Sequence, residues 1–223
     1  YLALDAGTDI ANNVAIGINA LGLSASSNRA VAIGAYAMSS GIVAASTYPI
    51  AIGFAALDAL TTGVGNIGIG YYAGGAIVEG QYNTILGYQA LDGGQEDSNC
   101  TAIGFQALGA CDVSDTGSAV ATNNTAVGYQ CGDGITTGLQ NTGIGASCAF
   151  DVDANNQTAV GYGATTDSAN DIAIGNTSVD EVKGQVDFTT FSDERIKTDV
   201  KDGDLGLDFI KLLKPKKFKK VNP

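Results

Sequence analysis

Ten glycines, Gly17, Gly34, Gly53, Gly70, Gly87, Gly104, Gly128, Gly145, Gly161 and Gly175, sit in one recurring local pattern. Their spacings are 17, 19, 17, 17, 17, 24, 17, 16 and 14 residues, so the basic period is 17. Self-similarity at such a period marks an array of stacked units, each too small to bury a core alone. The clearest copies read YNTILGYQA (82–90), SNCTAIGFQA (98–107) and NNTAVGYQC (123–131).

Counting from the glycine, each position has its own chemistry. Position −3 is always β-branched: Val14, Val31, Ile50, Ile67, Thr84, Thr101, Thr125, Thr142, Thr158 and Ile172. Position −2 is Ala or Gly except at Ile85, and position −1 is always Ile, Val or Leu. β-Branched residues alternating with small ones suit a short strand. The glycine then permits a bend or a close backbone approach. Position +3 is always small: Ala20, Ala37, Ala56, Ala73, Ala90, Ala107, Cys131, Cys148, Ala164 and Ser178. Such a column allows tight stacking of rungs or close approach of neighbouring chains. Cys131 and Cys148 read as small core hydrophobes.

Position −4 is Asn13, Asn66, Asn83, Asn124, Asn141, Gln157 or Asp171 in seven copies, and stacked amides can form a ladder along a solenoid. Aromatic rings follow the glycine at Phe54, Tyr71, Tyr88, Phe105, Tyr129 and Tyr162. Packing between rungs or chains explains them better than stacking on host sugars, and the variable loops are an equal place for a binding surface. The intervening Gly, Ser, Thr, Asp and Asn are turn residues. The 24-residue spacing after Gly104 predicts a longer loop. Ten rungs at roughly 4.8 Å each predict a rod about 45–50 Å long.

Composition removes several function classes. The chain has no histidine, which excludes histidine-based triads and metal sites within one chain. Residues 1–191 carry two basic side chains, Arg29 and Lys183, against 17 acidic ones. An acidic array repels phosphate backbones, so no nucleic-acid partner is expected. No stretch of some 18 residues is continuously apolar, so no membrane insertion is expected, and no signal segment opens the chain. Tyr1 in place of Met points to a processed or excised segment. The four cysteines lack zinc-site spacing, and no cofactor or metal site is expected.

The Ala-Ile-Gly run with its preceding amide and β-branched residue resembles the head repeats of trimeric autotransporter adhesins. NTAVGYQC and CTAIGFQA are closer still to repeats of phage tail-fibre proteins, and together the resemblance covers roughly residues 10–179. It implies a left-handed parallel β-roll that trimerises side by side, where periodicity alone gives only a solenoid. It also implies other tail or virion proteins as partners, and a host-surface glycan or protein as target.

After Gly175 the repeat stops. Residues 181–191 read as short strands of a neck, and residues 192–223 hold nine basic and six acidic side chains. Leu205, Leu207, Phe209, Ile210, Leu212 and Leu213 predict a helix ending before Pro215. Ser192-Asp193, Arg195, Lys197 and the turn from Pro215 to Phe218 resemble the opening of the endosialidase-type intramolecular chaperone of phage tail fibres and spikes. That resemblance implies Ser192 as nucleophile and Lys197 as general base of a single self-cleavage. On chemistry alone the better reading is that Ser192 caps the following helix and Lys197 is a solvated charge; the whole signature is what favours the dyad.

The expectation is thus an all-β, repetitive parallel β-solenoid with a short C-terminal α+β fragment. Residues 1–179 form the rod, 180–191 a neck and 192–223 the incomplete chaperone. The expected function is a homotrimeric tail fibre or spike for host attachment, located on the virion and extracellular, with no turnover activity. The alternatives are a bacterial surface adhesin head and, less favoured, a glycan-degrading tailspike, since no paired carboxylates recur.

Overall fold

The computed structural model describes residue 3 and residues 12–25, 27–43, 48–110 and 122–184. The chain divides into two units, Tyr1–Asp180 and Glu181–Pro223, and only residues 181–184 of the second are among those described.

The first unit contains ten strands of three residues each. These are β1 (Val14–Ile16), β2 (Val31–Ile33), β3 (Ile50–Ile52), β4 (Ile67–Ile69) and β5 (Thr84–Leu86), then β6 (Thr101–Ile103), β7 (Thr125–Val127), β8 (Thr142–Ile144), β9 (Thr158–Val160) and β10 (Ile172–Ile174). They form one sheet in strict sequence order, and every neighbouring pair is parallel. Each strand returns directly above the previous one, which defines a β-solenoid. Equivalent repeat positions pair throughout, as in Val14↔Val31, Ala15↔Ala32 and Ile16↔Ile33. The long spacing after Gly104 does not break this register, because Thr101 still pairs with Thr125. No helix occurs among the described residues. The ten strands span about 43 Å at the spacing of hydrogen-bonded strands.

The central residue of each strand, small in all but β5, faces inward. Ala32, Ala51, Ile85, Ala102, Ala126 and Ala159 are fully buried, and so is the +3 column from Ala20 to Ala164. Larger side chains reach them from the opposite wall: Leu21, Met38, Leu57, Leu91 and Leu108 at +4, with Leu60, Ile77 and Ile135 beyond. The interior is so thin that a methyl on Gly68 would sit 2.8 Å from Leu57 Cγ. Where the strand carries Ile85, the wall carries Gly74, and a methyl there would lie 2.6 Å from Ile85 Cδ1. Bulk removed from one wall is returned on the other, as close packing requires. The +3 column therefore serves packing within the coil, and Cys131 and Cys148 occupy it as small core residues.

Corners are made by left-handed backbone at −5, at the glycine and at +2, with +4 joining them in the first seven rungs. Asn12, Asn19 and Leu21 have φ of 60°, 55° and 52°, and Tyr82, Gln89 and Leu91 repeat the set at 56°, 49° and 47°. Each such residue costs on the order of 1–3 kcal/mol. The return is a hydrogen bond along the stack: Gln89 N–H donates to Tyr71 C=O at 2.8 Å, and Leu91 N–H to Ala107 C=O at 3.0 Å. Leaving such a buried group unpaired costs about as much, so the strain is offset.

Candidate functional site

The side of the strands opposite the core is apolar and open to solvent. Position −1 supplies Ile16, Ile33, Ile52, Ile69, Leu86, Ile103, Val127, Ile144, Val160 and Ile174, all half-buried or exposed. Ile16, Leu86, Ile144 and Ile174 are 59%, 46%, 49% and 54% exposed. Position −3 runs alongside, aliphatic in β1 to β4 and threonine in β5 to β9. Parallel register makes these two continuous columns. A soluble single chain seldom leaves so long an apolar strip bare, and such strips mark interaction surfaces.

Around the glycine corner the aromatic residues form a third column. Phe54, Tyr71, Tyr88, Phe105 and Tyr129 stack face to face, with centroids 5.3, 4.8, 5.3 and 5.2 Å apart and planes within 11°. Tyr36 meets Phe54 edge-on at 5.7 Å, and Tyr72 leans on Phe54 and Tyr71. The rings pack between rungs, so inside the column their faces are covered and their edges reach solvent. An amide ladder runs beside them: Gln106 Nε2 donates to Gln89 Oε1 at 3.4 Å, and Gln130 Nε2 to Gln106 Oε1 at 3.1 Å.

The −4 amides turn inward. Asn83 Oδ1 accepts from Cys100 N–H at 2.9 Å, while Asn83 Nδ2 donates to Asp97 C=O at 2.6 Å and Asn66 Oδ1 at 3.0 Å. Asn124 and Asn141 repeat the arrangement, with backbone N–H groups donating to Asn124 Oδ1 and Asn141 Oδ1 at 2.8 Å. Gln157 instead binds the loop before it, its Nε2 donating to Asp151 C=O and Ala154 C=O at 3.1 Å and its Oε1 accepting from Asp151 N–H at 3.1 Å. Asn66, Asn83, Asn124 and Asn141 each staple their own rung to the loop that follows it, so these residues are structural.

Burial pushes the Cys100 thiol up to about 12. Cys131 is also pushed up to about 12, by burial first and then by the adjoining Cys148. At neutral pH such thiols carry almost no thiolate and offer no nucleophile. Asp92 and Asp133 both titrate above the usual carboxylate range because of burial; for Asp92 the Asp133 charge adds to this, while a backbone hydrogen bond opposes it. A cleft of about 260 Å³ is lined by Gln130, Asp133, Ser147 and Phe150 among others. Sequence reasoning missed it.

Ser192 and Lys197 lie outside the described residues, as do most of the neck and the whole of the C-terminal segment. Comparison with protein-family models, with curated proteins and with solved structures returned no match.

Proposed function

We propose that the solenoid is the shaft of a homotrimeric fibre or spike that serves attachment to a host surface, exposed on a virion. The carrying observation is the outward strand side, where an aliphatic −1 column runs the length of the ten strands beside a −3 column that is aliphatic in β1 to β4 and in β10. Three copies placed around a common axis would cover it, and the residue pattern resembles that of trimeric fibre and adhesin repeats. The acidic charge of residues 1–191 supports the same reading, since like charge keeps an exposed repetitive β-protein from aggregating. In this reading residues 192–223 open an assembly chaperone that holds three chains together while identical rungs choose their register. Ser192 and Lys197 then release it by a single cleavage.

Light scattering tests the assembly. The chain is expected at three times its 22.5 kDa mass, and Leu86→Lys should yield single chains with unchanged β-structure by circular dichroism. Lysine at a half-exposed site is tolerated in one chain but costly in a shared apolar seam. A wild-type chain of 22.5 kDa in dilute solution overturns the proposal. In a chain carrying the whole chaperone, Ser192→Ala and Lys197→Ala should each block fragment release on a denaturing gel.

A further inference from the structure

The aromatic column has a missing rung. Position +1 holds Phe54, Tyr71, Tyr88, Phe105 and Tyr129, then Ala146, then Tyr162. The backbone at this place remains in register: Ser147 N–H donates to Tyr129 C=O at 2.8 Å, and Gly163 N–H donates to Ala146 C=O at 2.9 Å. Tyr129, Ala146 and Tyr162 therefore stand one above another, with the two tyrosines separated by two strand spacings, about 9.6 Å. The interruption is visible in solvent exposure. Interior rings of the column are 39–45% exposed, whereas Tyr129 is 53% and Tyr162 73% exposed.

We infer that this gap is a binding notch for one pyranose ring of a neutral glycan, held between Tyr129 and Tyr162 over Ala146. The rings of the intact column repeat every 4.8–5.3 Å, so a single ring is what the vacancy accommodates. The C–H groups on both faces of a pyranose suit the electron-rich faces of two tyrosines. The polar groups decide between a sugar and a flat aromatic ligand. Gln130 and Ser147, which follow Tyr129 and Ala146 in the chain, line a cleft together with Asp133. Amide, hydroxyl and carboxylate are a mixture of donors and acceptors that sugar hydroxyls use and an aromatic hydrocarbon does not. Asp133 and the net charge of −12 disfavour uronic and sialic acids. The inference deepens the attachment reading by naming a ligand class, and rests on that reading only for where the sugar comes from.

The test is ligand-observed NMR on the full chain with the methyl glycosides of glucose, galactose, mannose and N-acetylglucosamine, and methyl glucuronide as the charged comparison. At least one neutral glycoside should bind with a millimolar Kd, and the glucuronide at least about tenfold more weakly. Ala146→Tyr, which completes the column, should weaken binding at least about tenfold while keeping or raising the Tm. Tyr162→Ala, which removes one wall and adds no bulk, should weaken it similarly. Absence of binding by all four neutral glycosides overturns the inference, and so does binding that survives Ala146→Tyr or favours the glucuronide. Mass by light scattering on the same samples separates the two proposals. A single chain that binds through Ala146 sinks the trimeric fibre alone, and a trimer that binds none of the four sinks the notch alone.

Discussion

The repeat glycine is fixed by two constraints at once. Gly87 has φ of +147°, and a methyl there would run into the carbonyl of Gly104 in the next rung. The same approach joins Gly34 to Gly53 and Gly128 to Gly145, so the corner is a stack of backbones with no room between them. Gly87→Ala should therefore destabilise the solenoid by at least about 2 kcal/mol, combining strained backbone with a clash that no side chain can relieve. Gly134 is the matched comparison, since a methyl there meets nothing within 4 Å. Gly134→Ala should change stability by no more than about 0.5 kcal/mol. Urea denaturation of the two variants checks both, and equal losses would mean that the glycine stack is not what holds the corner.

At the scale of one rung, the inward amide matters more than the short strand. Three residues of parallel strand supply few hydrogen bonds, whereas Asn83 alone satisfies the Cys100 N–H and the Asp97 carbonyl. Asn83→Ala removes both of these buried bonds and should cost about 3 kcal/mol, read from the midpoint of the same urea titration. Asn83→Asp should not rescue it, because a carboxylate accepts from Cys100 N–H but cannot donate to the Asp97 carbonyl. The period of 17, the strand residues and the place of every corner glycine were legible in the sequence, since each repeats at a fixed offset. Which side of the strand faces inward was not. Alternation says that Val31 and Ile33 point away from Ala32, but burial depends on the opposite wall, where Leu21 and Met38 take the volume and leave room only for alanine. Left-handed Tyr82 and Leu91 were equally hidden, because nothing in their own chemistry favours positive φ; only the bonds to neighbouring rungs do. Ser192 and Lys197 rest on their resemblance alone.

Across the whole array, each rung touches mainly the rungs above and below, so stability should be close to a sum over rungs and their contacts. That makes deletion in whole repeats a sharp test. Removing residues 70–86 joins Ile69 to Gly87, restores an Ile-Gly corner, and takes out Gly74 and Ile85 together. Those two residues are the complementary pair that exchanges bulk between the walls, so the remaining rungs keep matched interiors of alanine against leucine. This variant should fold, show the β-structure of the parent by circular dichroism, and melt within a few degrees of it. Deleting residues 70–78 instead joins Ile69 to Glu79 and puts a carboxylate where the corner needs glycine. The downstream rungs then stack on a broken corner, and the melting transition should split or be lost. If both deletions melt alike, the corner register is not what organises the array. If the 17-residue deletion alone fails, stability is cooperative over more than adjacent rungs, and the additive description is wrong.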